Sequence, residues 1–166
     1  MALTKIVQCV GMCIRDGRVI LGEKVRGKGV GSLNGLGGNY REGQDGDKNV
    51  DDTMRREPME EARIKVNRME KVGIVEFSFE GKDWYVELHV YRIEDFEGEP
   101  VDIDGSDLRN PRFYDMDKID YSRLWAGDRV WLPMLFAGKK FKGKGLYKEW
   151  NELISHGIYE VGSLAG

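Results

Sequence analysis

Between Gly35 and Ile64 the chain reads GLGGNYREGQDGDKNVDDTMRREPMEEARI, and Glu57, Glu60 and Glu61 stand there at i, i+3 and i+4. Helical spacing puts the three carboxylates on one stripe. On an exposed helix each like-charged pair at that spacing costs about 0.2–0.5 kcal/mol. A hard divalent cation such as Mg²⁺, which takes carboxylate oxygens as ligands, would reverse the repulsion. Acidic stripes on solvated helix faces are common, so these residues alone leave a metal site and a plain surface both open. Gly37 and Gly38 upstream, followed by Arg41-Glu42-Gly43, add a backbone able to turn sharply and approach a ligand closely.

Turn, helix and carboxylates together resemble the Nudix box: a glycine, five residues, a glutamate, seven residues, then Arg-Glu-apolar-any-Glu-Glu-any-Gly-apolar. Gly38 stands for the opening glycine, and Arg56, Glu57, Glu60 and Glu61 match. Four features depart from the pattern. Gln44 replaces the glutamate, eleven residues (45–55) separate Gln44 from Arg56, Pro58 takes the apolar position and Arg63 the glycine. The extra residues amount to about one helical turn, part of which Asp45-Gly46-Asp47 absorbs as a turn. A proline inside a helix costs roughly 3 kcal/mol, which predicts a kink or restart near Pro58 and leaves the aim of Glu57 open.

The similarity extends to about Gly145. Leu33-Asn34-Gly35-Leu36-Gly37-Gly38, Lys71-Val72-Gly73, Glu87 to Tyr91, Leu124-Trp125 through Trp131-Leu132-Pro133 and Lys139-Lys140-Phe141 resemble the 8-oxo-dGTP diphosphatase branch of the Nudix hydrolases. That resemblance implies an α/β/α sandwich with a mixed sheet. It also implies hydrolysis of a modified purine nucleoside triphosphate to monophosphate and pyrophosphate with Mg²⁺, Mn²⁺ being the alternative ion. On the same footing Glu57 and Glu61 would ligate metal, Glu60 would be a ligand or the base that activates water, and the Gly37 carbonyl a further ligand. Arg56 would orient a glutamate. Asn34 would bond the purine, Phe77 line the base pocket, Trp125 pack on the ring, Asp128 read the purine edge, and Lys24 approach the nucleotide. The branch carries adjacent aspartates where this chain has Gly127-Asp128, and an aromatic where it has Lys28, so a base preference narrower than the branch's, or different from it, is expected. Two alternatives stay open: a Nudix hydrolase of ADP-ribose or a dinucleoside polyphosphate, and a box that has lost turnover and only binds nucleotide.

These residues must be positioned by a chain of 166 residues, 40% hydrophobic, which suits one domain with a substantial core. Net charge −3 and a pI near 5.5 argue against a nucleic-acid polymer as partner, while a small nucleotide bridged by metal remains compatible. The start of the chain lacks the features of a secretory signal, and no stretch approaches membrane-spanning length. A cytoplasmic monomer is expected. Cys9 and Cys13 are the only cysteines. Four residues apart in a strand they lie roughly 13 Å apart, beyond disulfide reach. His89 and His156 are isolated, which gives a zinc site or a triad little support.

Apolar runs from Lys5 to Ile14 and Arg18 to Gly22 flank Asp16-Gly17, a hairpin signal. A basic, Gly-rich loop (Lys24 to Gly35) returns into a short strand, and a helix is expected near Lys48 to Ala62. Val66 to Glu80 and Trp84 to Tyr91 read as an antiparallel pair. Acidic Glu94 to Asp107 reads as a flexible connection and Arg112 to Tyr114 as a short strand. Asp107 stands near the place where the resemblance implies a further carboxylate, but is read as a solvated loop acid. A helix follows over Arg129 to Gly138, with Asp128 as its cap and Pro133 in an early turn. Leu146 to Val161 would be a closing strand or helix.

Overall fold

The computed structural model describes residues 2–165. β1 (Thr4–Arg15) and β2 (Arg18–Lys24) are joined through Asp16 and Gly17 at φ 53° and 74°, the left-handed pair that a two-residue hairpin turn requires. β3 (Leu33–Asn34) pairs with β2, and β4 (Leu36–Tyr40) runs antiparallel to the first half of β1. β5 (Lys65–Phe79) and β6 (Trp84–Glu97) form the expected antiparallel pair. β1 lies parallel to β6, and β5 parallel to β8 (Lys140–Glu149). β7 (Leu108–Asp115) pairs with β2, and β9 (Glu152–Val161) closes the far edge on β8. Among the described residues nine strands thus make one mixed sheet.

Side chains alternate across a strand, and β1 shows what each face carries. Cys9 and Cys13 enter a cluster with Met54 and Ala62 of α1 (Val50–Ala62). Met12 and Ile14 enter the other cluster, with Trp131, Leu132 and Leu135 of α2 (Asp128–Phe136). One helix therefore covers each face, the α/β/α arrangement expected. Gly11 allows α1 to sit down, since a Cβ there would meet the Met54 methyl at 2.8 Å. Each fully buried leucine contributes about 1.5–3 kcal/mol.

Five local expectations need correction. α1 is not restarted at Pro58 but continues through it to Ala62. Pro58 is buried, so packing offsets the one backbone bond it removes. Asp128 does not cap α2: Gly127 is the cap residue, without a side-chain bond, and Asp128 opens the helix. Pro133 accordingly falls beyond the first turn, in a helix only nine residues long. The acidic stretch from Glu94 is strand as far as Glu97, because buried Ile93 and Phe96 anchor it while Glu97 and Asp95 face Lys65 and Arg68 of β5. After α2 the chain closes with two strands rather than one element.

Arg63, at the place of the box glycine, ends α1 at φ 57°, ψ 38°, its amide donating to the Met59 carbonyl at 3.1 Å. A side chain in this left-handed region is strained. Arg63→Gly is expected to raise stability by about 0.5–1 kcal/mol, the gain being trimmed by the extra freedom of glycine in the unfolded chain. Thermal melts of the two proteins check it.

Candidate active site

The carboxylates of α1 reach the sheet because β4 is bare where they arrive. A Cβ on Gly38 would lie 2.6 Å from Glu57 Oε1, and one on Gly37 would lie 2.0 Å from the Cys9 carbonyl oxygen. The Gly37 amide donates to Glu61 Oε1 at 2.8 Å. In an antiparallel pair a residue's N–H and C=O leave by the same edge, which turns the Gly37 carbonyl toward the carboxylates as well. Glu57 and Glu61, one turn apart, thus converge on the Gly37-Gly38 backbone.

The residues inserted before the helix hold it in place. Asn49 Oδ1 accepts the Asp52 amide and Asp52 Oδ2 accepts the Lys48 amide, both at 2.9 Å, a reciprocal cap of the first turn. Asp47 is buried at 7% exposure. It accepts from Thr53 Oγ1 at 2.9 Å and from Arg56 Nη2 at 2.8 Å. The hydrogen bonds of Arg56, reinforced by Thr53, hold its carboxyl below the usual range. Arg56 also donates to Glu60 Oε2 at 2.9 Å and Glu57 Oε1 at 3.3 Å. Its guanidinium therefore holds three carboxylates, those of Asp47, Glu57 and Glu60. Glu60, 56% exposed, is held by Arg56 at the side, while Glu57 and Glu61 line the pocket.

Burial pushes the Glu57 carboxyl up to about 7, with Arg56 opposing and Glu60 adding to the rise. Burial likewise raises Glu61 well above the carboxylate range, with the Gly37 amide opposing and the Glu57 charge adding. Asp107 adds negative potential to both. Among the described residues no three His, Cys, Asp or Glu side chains are already gathered as a metal cage. The donor set nevertheless fits Mg²⁺, which is held through one or two carboxylates and keeps several waters. Two close carboxyls whose charged forms repel each other gain from an intervening cation.

A pocket of ≈490 Å³ runs from these carboxylates to an aromatic wall. Asn34 Nδ2 donates to Ser32 Oγ at 3.0 Å and Trp125 Nε1 donates to the same oxygen at 3.1 Å, so buried Ser32 sets both side chains. Phe77 packs on Tyr147 (centroids 5.1 Å apart), which also stacks with Phe79 at 5.2 Å. Phe77 is only 4% exposed, so it is core and pocket wall together. The Gly127 amide donates to the Tyr147 hydroxyl at 2.7 Å, and a Cβ on Gly127 would strike Phe77 at 2.6 Å. A side chain at position 127 would therefore require Phe77 and the Tyr147 hydroxyl to shift. Burial pushes Asp128 up to about 7, the Trp131 indole opposing. Although protein surrounds it, Asp128 keeps access to the pocket. Near neutral pH it can therefore donate or accept a hydrogen bond. Lys24 Nζ lies 5.3 Å from the Trp125 ring centroid, inside the same pocket.

The NUDIX domain family matches residues 5–135. This chain is a Nudix hydrolase. It is 34% identical over 153 residues to a Danio rerio protein named oxidized purine nucleoside triphosphate hydrolase, covering 92% of this chain and 94% of that one. A Mus musculus protein of the same name is 32% identical over 152 residues, covering 92% and 93%. The crystal structure of a MutT protein from Bacillus halodurans superposes with TM-score 0.74 at 23% identity, over 94% of this chain and 97% of that one, a likeness of fold.

In this Nudix hydrolase the pocket also holds residues outside the expected site set. Asp107, expected to be a solvated loop acid, lines it and pairs with Arg26 at 3.0 Å. Its place follows from β7 pairing with β2, where the Val25 amide donates to the Asp107 carbonyl at 3.1 Å. Trp84, Phe79 and Tyr147 form the aromatic wall. Their alternation on strands is the signal of a core, and nothing local separates a core face from a pocket face. His89 is 9% exposed and its Nε2 pairs with Glu87 Oε1 at 2.8 Å. Cys9 and Cys13 are free and buried, and burial pushes both thiols up to about 12. Among the described residues no helix is long and apolar enough to cross a membrane.

Proposed function

We propose that this Nudix hydrolase converts oxidised purine nucleoside triphosphates such as 8-oxo-dGTP to the monophosphate and pyrophosphate with Mg²⁺, as a single-domain cytoplasmic monomer that clears damaged nucleotides. One observation carries the reading: a continuous pocket joins the Glu57/Glu61 pair to Asn34, Trp125 and Asp128. The names of the Danio rerio and Mus musculus relatives support the same substrate class.

Water would add across a phosphoanhydride, one P–O bond forming as another breaks. A divalent cation held by Glu57, Glu61 and the Gly37 carbonyl would polarise the phosphate and lower the pKa of bound water. Asn34 offers a side-chain oxygen to the base, because its Nδ2 is engaged by Ser32. Asp128 reads a ring N–H as carboxylate or donates as acid. Trp125 supplies stacking of roughly 1–3 kcal/mol. Lys24 faces the middle of the substrate. Arg56 fixes Glu57 and Glu60, and either Glu60 or Glu57 would take the water proton.

Product chromatography after incubation with Mg²⁺ tests this. Monophosphate and pyrophosphate formed faster from 8-oxo-dGTP than from dGTP are expected. Cleavage of ADP-ribose or a dinucleoside polyphosphate instead would keep the carboxylate site and reject the base pocket. Tight binding without product from any nucleotide would mark a binding module.

A further inference from the structure

Lys28 stands on the loop between β2 and β3, and that loop is held in one shape. Gly27, Gly29 and Gly31 have φ of 78°, 80° and 90°, values that a side chain at those positions would make costly. The Lys24 amide donates to the Ser32 carbonyl at 2.9 Å and the Gly31 amide to the Lys24 carbonyl at 2.8 Å. Gly29 lies so close to Trp125 that a Cβ would come within 2.8 Å of the indole. This frame delivers the Lys28 ammonium over the aromatic wall. Its Nζ is 4.5 Å from the Phe79 ring centroid and 5.8 Å from that of Trp84.

Lys28 lines the same pocket as Glu57 and Glu61. Its ring partners Phe79 and Trp84 belong to the aromatic wall, so Lys28 stands at that end of the pocket. Among the described residues it forms no ion pair. An ammonium held in a pocket by ring faces alone has three donors and no acceptor.

We infer that Lys28 is a specificity-determining residue that donates to a carbonyl oxygen of the base, so that the pocket selects oxo-purines over purines bearing an amino group or hydrogen at the same position. The inference rests on the purine nucleoside triphosphate reading above. With the phosphates bridged to Glu57 and Glu61 by a divalent cation, the base is the part of the substrate that reaches Phe79 and Trp84. A carbonyl there completes a charge-assisted hydrogen bond. An amino group meets the ammonium donor to donor, and a C–H leaves it unpaired.

The test compares kcat/KM with Mg²⁺ for 8-oxo-dGTP against dGTP, which differ at C8, and for dITP against dATP, which differ in a carbonyl or amino group at C6. Lys28→Met keeps the length and apolar contact with the rings while removing the charge. At least one ratio favouring the oxo-purine in the wild type is expected to fall about tenfold or more. The Tm should stay close to wild type, because methionine keeps the apolar contact with the rings. Two unchanged ratios overturn the inference, and so does an equal loss on all four substrates, which would put Lys28 on the phosphates. A wild-type enzyme that cleaves ADP-ribose and none of the four overturns the purine triphosphate reading itself, and this inference with it.

Discussion

Glu61→Gln is expected to lower Mg²⁺-dependent turnover by about 10³-fold while raising the Tm of the metal-free protein. The two effects have one origin. Glu61 is 7% exposed and its carboxyl is raised well above the ordinary range, by burial first. Glutamine keeps an oxygen for the Gly37 amide, which donates at 2.8 Å, but removes the charge that would hold a cation, and loss of that cation's several kcal/mol of transition-state stabilisation sets the size of the effect. The sign of the pH dependence follows from the raised pKa. A carboxyl whose folded pKa lies above its unfolded value stabilises the fold fully below the unfolded value. That stability is lost as pH rises toward the folded pKa. The Tm advantage of the variant should therefore grow between pH 5 and pH 8. Mg²⁺ should raise the Tm of the wild type by mass action and leave Glu61→Gln almost unmoved. Unchanged turnover, or an equal Mg²⁺ response in both proteins, would remove Glu61 from the metal site.

Gly37→Ala and Gly38→Ala, one residue apart, should fail in different ways. Neither glycine has positive φ, so only the space in front of each Cα matters. At Gly37 the new Cβ would stand 2.0 Å from the Cys9 carbonyl oxygen. That obstacle is backbone, and β4 would have to leave its register with β1 over residues 7–11. A loss on the order of 3 kcal/mol or more is expected, a Tm lower by about 6–12 °C. At Gly38 the obstacle is the Glu57 carboxyl, 2.6 Å from the new Cβ. A flexible side-chain end can swing away, so the Tm should fall by no more than about 2–4 °C, or ~1 kcal/mol. Activity should nevertheless drop about 10²-fold, the usual penalty for displacing a catalytic group by an ångström. Melts and turnover of both variants check the contrast. A Gly38→Ala enzyme with full activity would mean that Glu57 is not needed where it stands.

The box shows how far linear spacing carries. Glu57 and Glu61 share a helix face whatever surrounds them, because 3.6 residues complete a turn, and the structure keeps them one turn apart beside Gly37 and Gly38. The hairpin at Asp16-Gly17, the β5/β6 pair and both helices were legible for the same reason: each rests on a local repeat or a turn residue. Pro58, which suggested a broken helix, did not break it, and Arg63 ends it in place of the box glycine. Burial of Pro58 and the left-handed Arg63 are outcomes of packing that a local rule does not contain.

Amino-acid order alone determined the acidic helix, the Gly-rich turn that receives it, the alternating strands and the resemblance to Nudix hydrolases. Only the tertiary structure decided which acids face the pocket. Arg56 draws Glu60 aside, while Asp107, fifty positions after Glu57 in the chain, is carried to the site by the β2/β7 pairing. It likewise decided that Phe79, Trp84 and Tyr147 line a pocket, with Lys28 over the first two. Local periodicity fixes which way a side chain points from its own strand. Whether it meets a helix or an opening depends on strand order and on loops closing over the sheet, and those contacts join residues far apart in sequence.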